Sequence, residues 1–274
     1  MCPEQLILIL VTMKYQTIGI ILLAALVLIV GAYAHTLSSA PAPEQTPDLA
    51  PANPAAPSDL IVISERGIPV EIGIDDIAAY HAKMEAEEDG TPVPEQPEID
   101  PCCAWMYRSL FAGIHALWGD DIPDRSDISV ASYLPSCGAL HTGWYVTGTG
   151  PGMDTASAGR FILLKPDGTE LTDTSHEARS KIAKNRNADS YRIVITRIST
   201  EESATVSLKN EVFPNRFFEL FKKFKTDPAV TKEEVSAFKA ARTAFRDNLV
   251  EKPDEELFII RQSSARDIPS GAGP

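Results

Sequence analysis

An uncharged apolar run near the amino terminus, Tyr15 to Ala34, constrains this chain more than any other feature; it reads YQTIGIILLAALVLIVGAYA. Ile18 to Ala34 carries no charge, and as a helix it has no polar face to show water. Its length approaches the roughly 20 apolar residues that cross about 30 Å of hydrocarbon. Lys14 precedes the run and no Lys or Arg follows until Arg66. That asymmetry keeps the amino terminus inside and sends the later chain outside. The expectation is membrane contact through residues 15–34, with residues 1–37 forming a transmembrane anchor or signal segment. Ala32-Tyr33-Ala34 also fits a small-x-small cleavage site before His35. The chain is then either membrane-anchored with an extracytoplasmic domain, or secreted.

Residues 38–58, SSAPAPEQTPDLAPANPAAPS, contain almost no large apolar side chains. Such a segment cannot bury enough surface to offset chain entropy, and its prolines favour extended polyproline II. It reads as a stalk. Residues 262–274 read as a polar, disordered tail. Residues 59–261 are left as the globular part, long enough for one well-buried domain. The formal net charge of −13, with no Lys/Arg-rich run, repels phosphate backbones, so no nucleic acid is expected as partner. The sequence identifies no protein partner, and a homodimer and an unlike partner are both compatible with it.

Within the globular part, Leu60 to Ile63 and Val70 to Ile74 are short β-branched runs around an Arg66-Gly67 turn. Asp75-Asp76 can cap a helix containing Ile77, Tyr80, His81 and Met84, and the acidic, proline-containing stretch from Glu85 to Asp100 reads as a surface loop. Apolar residues from Ala104 to Trp118 recur at helical spacing up to Gly119-Asp120. Strands are expected at 128–134, 143–149, 159–164, 191–198 and 204–208, and a short helix at 176–185. Two further helices, over 215–223 and from a Thr231 capping box to about Val250, precede a last strand at 257–260. The fold class is α+β: a mixed or mainly antiparallel sheet with packed helices, preceded by one transmembrane or signal helix.

Cysteine and histidine carry the chemistry. Cys102 and Cys103 stand at the mouth of the Trp105 helix, while Cys137 and His141 fall in LPSCGALHTGW between two expected strands. A thiolate and an imidazole at that spacing can reach one borderline ion such as Zn²⁺. Cys102 or Cys103 would add a third ligand and His81 or water a fourth, giving the metal set Cys102, Cys103, Cys137, His141 and His81. In an oxidising compartment Cys137 can instead pair with Cys102 or Cys103 as a disulfide, stabilising a non-catalytic binding or scaffold ectodomain. Thiols are also common as small buried hydrophobes. No Gly-x-Ser-x-Gly elbow is present, and the GTGPG stretch at 148–152 lacks the ending of a phosphate loop.

Several blocks resemble the family of formylmethanofuran dehydrogenase E-type subunits. They are Asp75 to His81, Pro101 to Arg108, Trp118 to Arg125, the strand from Asp127 to Ser132, and Val206 to Phe221. The resemblance covers about Ile72 to Val250. It implies an α+β fold and a metal-binding role, redox or related to one-carbon chemistry. The family runs from its first helix into a Tyr-His-Gly-His-x-Cys-Pro sequence. Here Ala82-Lys83 follow His81, an acidic insertion reaches Ile99, and Asp100 stands where the family cysteine would be. The second histidine is absent, so formylmethanofuran oxidation is not carried over to this chain.

Overall fold

The computed structural model describes residues 60–264. The expected anchor through residues 15–34, the stalk at 38–58 and most of the tail lie outside them. Among the described residues no helix is long and apolar enough to cross a membrane.

The described region is α+β. Strands β1 (Ile61–Glu65) and β2 (Ile68–Ile72) form an antiparallel hairpin in register Ile61↔Ile72. Its turn places Arg66 and Gly67 at positive φ (56 and 80), as tight hairpins require. Helix α1 (Ile74–Asp89) follows, opened by the Asp76 carboxylate accepting the Gly73 N–H at 2.7 Å. Helix α2 (Pro101–Trp118) starts at Asp100, whose carboxylate accepts the Cys102 N–H at 2.7 Å, with proline in the first turn. Then come β3 (Ile128–Ser132), α3 (Cys137–Thr147), β4 (Arg160–Leu163), α4 (His176–Ala183), β5 (Arg192–Arg197) and β6 (Glu202–Leu208). Helices α5 (Phe217–Thr226), α6 (Lys232–Glu251) and α7 (Asp254–Leu257) lead into β7 (Phe258–Ser263).

The larger sheet has the order β4-β3-β5-β6-β7. The β3–β4 pair is parallel and the others antiparallel, which is the mixed sheet the sequence led us to expect. Helix α2 lies on this sheet and also packs against α1, α3 and α6. It is buried along both its apolar stripe and its flanks, from Cys103 through Leu110 and again at Ala112 to Ile114. A helix apolar on all sides belongs in a core. Gly113 allows the approach: a Cβ there would fall 2.3 Å from Ile195 Cδ1 on β5.

Three expectations are corrected. Residues 143–149, read as a strand, fall largely within helix α3. Ser136 caps that helix by accepting the Ala139 N–H at 3.2 Å, and Gly148 ends it in the left-handed region at φ 73. Gly-Trp-Tyr-Val-Thr has the local look of a strand, but burial between α1, α2 and the sheet selects the helix. The loop expected from Glu85 begins later, because α1 runs on to Asp89 and Gly90 closes it at φ 66. At helical spacing the helix carries a contact from buried His81 to Glu85 and an exposed Lys83–Glu87 pair. Gln262 and Ser263, expected to begin a tail, instead pair with Ala204 and Ser203 in β7.

Helix α3 sits on β4 through Gly143, where an added Cβ would lie 2.1 Å from the Phe161 ring. Gly143→Ala should therefore destabilise the domain by about 1–3 kcal/mol, the usual cost of overpacking. Urea denaturation would read this as a lower midpoint at unchanged slope.

Candidate metal centre

Three helices bring the polar groups together. On α1, His81, Glu85 and Glu88 share one face at i, i+4 and i+7 spacing. On α3, Cys137, His141 and Trp144 do the same. The capped start of α2 supplies Asp100, Cys102 and Cys103. Gly138 lets α3 come close to that start: a Cβ there would fall 2.8 Å from the Cys103 backbone nitrogen and 2.9 Å from the Cys102 Cβ.

His81, Asp100 and Cys103 form a group whose donor atoms all lie within 4.8 Å of one another. His81 and Cys103 are buried, and Asp100 is partly so. His141, 1 % exposed, joins through a ring–ring contact of 2.9 Å between its Nδ1 and that of His81. One of those nitrogens must donate and the other accept, so the two facing positions share a single proton. His81 Nε2 lies 3.3 Å from Glu85 Oε1. His141 stacks on Trp144 at 5.6 Å, and its buried Nε2 has no hydrogen-bond partner. A cavity of about 450 Å³ opens on the group, lined by His81, Glu85 and Asp100 on one side and by Lys239, Arg242 and Arg246 of α6 on the other.

The electrostatics are uneven. Burial, then the charges of His81 and Arg179, pushes His141 down to about 3, so its ring is neutral at physiological pH. Burial alone would raise Asp100, but Arg242, His81 and the Cys102 N–H together hold its carboxyl below the ordinary range. Burial, followed by the neighbouring Asp100, pushes the Cys103 thiol well above its ordinary value. Without a cation, Cys103 is a protonated thiol beside an ionised carboxylate.

The other expected ligands point elsewhere. The Cys137 Sγ takes an N–H from Arg179 at 2.8 Å, and the Cys102 Sγ takes one from Arg186 at 3.4 Å. Both sulfurs are engaged by guanidinium groups and lie outside the His81–Asp100–Cys103 group. The structure thus brings Cys103 and His81 into one group, sets His141 beside it, and leaves Cys102 and Cys137 outside. The three thiols among the described residues are free, without the disulfide weighed from the sequence. Asp100, absent from the expected set, is the added donor. In the sequence Asp100 closes the acidic stretch that reads as a surface loop, directly before Pro101.

No protein-family model matches the chain, and no curated protein matches it. The likeness to formylmethanofuran dehydrogenase E-type subunits therefore rests on the residue blocks quoted above.

A histidine held neutral when folded but titrating near 6.5 when unfolded costs nothing above that pH. It opposes folding progressively as pH falls from 6.5 toward 3, because only the unfolded chain takes up the proton. After chelation, the protein should lose stability across this window. His141→Gln should flatten that part of the profile, read as a smaller drop in urea midpoint between pH 6.5 and 4.

Proposed function

We propose that this domain binds one divalent ion, zinc first, through His81, Asp100 and Cys103, and that residues 15–34 hold it on the outer side of a cytoplasmic membrane. One observation carries the metal reading: an imidazole, a carboxylate and a thiol converge in a largely buried place. Zinc takes all three donor types at about 2.0–2.3 Å in tetrahedral sites, which sets ligands roughly 3.3–3.8 Å apart. Small side-chain movements bring donors now within 4.8 Å to that spacing. Deprotonating Cys103 in the folded chain is costly because of burial and Asp100, and a divalent charge reverses both effects.

His141 acts on the site through His81. By hydrogen-bonding His81 Nδ1 it fixes the ring's tautomer and orientation, the role of outer partners around ligating histidines. Three protein donors beside an open cavity match the layout of sites that keep a coordination position for water or substrate. A zinc ion so held supplies Lewis-acid activation of water or a carbonyl. Glu85, 3.3 Å from His81 and on the cavity wall, is placed to take or give a proton there. The membrane-side placement rests on the length and charge asymmetry of the Tyr15–Ala34 run.

Purified full chain should carry close to one zinc per molecule by elemental analysis. Cys103→Ser and His81→Gln should each lose it, and Asp100→Asn should bind far more weakly. His141→Gln should weaken binding about 10–100-fold, the usual cost of losing an outer partner. Cys137→Ala should change little. Full metal content in both Cys103→Ser and His81→Gln, with circular dichroism unchanged, would defeat the proposed site.

A further inference from the structure

On the far side of the α2–α3 junction lies a second cavity of about 150 Å³, walled by the start of α3 and by α4 and α5. Ser136, Cys137, Arg179, Lys184, Arg186 and Lys225 are among its lining residues. Four of these are cations and no Asp or Glu lines the cavity, in a chain whose net charge is −13. Concentrating positive charge there runs against the acidic balance of the chain as a whole.

Two of the cations are held in place. Arg179, 2 % exposed, donates to the Thr174 carbonyl at 2.8 Å and to Cys137 Sγ at 2.8 Å. Glu88 contacts it at 3.5 Å from outside the cavity. Arg186 lies flat over the Phe221 ring at 3.6 Å and reaches Cys102 Sγ at 3.4 Å. Its Nε is buried with no hydrogen-bond partner. Lys184 and Lys225 are exposed at the rim. Helix α3 adds the positive end of its dipole, capped by Ser136.

Size narrows the occupant. At about 150 Å³ the cavity is smaller than the roughly 300 Å³ at which sites for drug-sized ligands start. We propose that this cavity is an oxyanion site for a tetrahedral phosphate or sulfate group, either a free ion or the end of a larger molecule. Planar guanidinium groups with flanking lysines are the usual donors to such anions. The Cys137 thiol is a neutral wall residue, because burial raises it more than Arg179 lowers it.

Cys137, half-buried in the wall, serves as the reporter. The full chain is labelled with neutral iodoacetamide while inorganic phosphate replaces chloride at constant ionic strength, and Cys137 modification is followed by peptide mass spectrometry. Phosphate at millimolar concentration should slow labelling at least several-fold. Combined Lys184→Gln and Lys225→Gln changes, both at exposed positions, should raise the half-protecting concentration about tenfold. Lys232→Gln, at a residue that does not line the cavity, should not.

Sulfate and glycerol 3-phosphate run in parallel. Stronger protection by glycerol 3-phosphate assigns the site to a phosphorylated molecule, and stronger protection by the inorganic ions assigns it to a free oxyanion; either supports the proposal. Protection must also survive chelation. No protection, protection unchanged by the double lysine variant, or protection lost on chelation would each overturn the site, the last by assigning phosphate to a metal instead.

Discussion

Burying the first turn of α2 is the constraint from which the rest of this domain follows. A helix start leaves N–H groups without intrahelical partners, and surface helices give them to water. Here the helix is apolar nearly all round and packed between the sheet and three other helices. Its polar start must therefore be satisfied by protein groups. Asp100 does this by taking the Cys102 N–H, and the carboxylate is balanced in turn by Arg242 from α6 and by His81 from α1. A carboxylate so enclosed would cost several kcal/mol if left unpaired. The requirement to balance it draws a histidine and a cation to the end of the helix that carries Cys102 and Cys103.

From that end the environment divides. Cys102 and Cys103 are adjacent, so on a helix their side chains diverge by about 100°. Cys103 turns toward α1, with His81 and Glu85 nearby. Cys102 turns toward Arg186, and Cys137 on α3 meets Arg179. One side thus collects donors suited to a cation, and the other collects cations suited to an anion. Glu88 touches both, lying 3.9 Å from His141 Nε2 and 3.5 Å from Arg179. Closeness of the two sides depends on Gly138, where any side chain would meet the Cys103 backbone.

Much of the fold was legible locally. The Thr231-x-x-Glu234 capping box marked α6, the apolar period from Ala104 marked α2, and Arg66-Gly67 marked the hairpin turn. Helix α3 was not legible, because its two glycines and its Trp-Tyr-Val-Thr run disfavour a helix in isolation. Those glycines are contact points with α2 and Phe161, and their value exists only once the partners are in place. At the site, His81 and Cys103 could be named from residue type. Asp100 does not declare itself as a ligand, because it ends an acidic stretch that reads as a surface loop, and only the folded chain makes it the cap of α2 beside His81.

The sequence by itself determined most of the strands and helices, the stop of α2 at Gly119 and the capped start of α6, and which residues own metal-binding chemistry, because spacing, capping and donor type are properties of neighbours along the chain. Tertiary structure alone decided that Cys103 sits with His81 while Cys102 and Cys137 sit with arginines. That choice is fixed by the rotation of α2 against α1 and α3, set by packing among residues far apart in sequence.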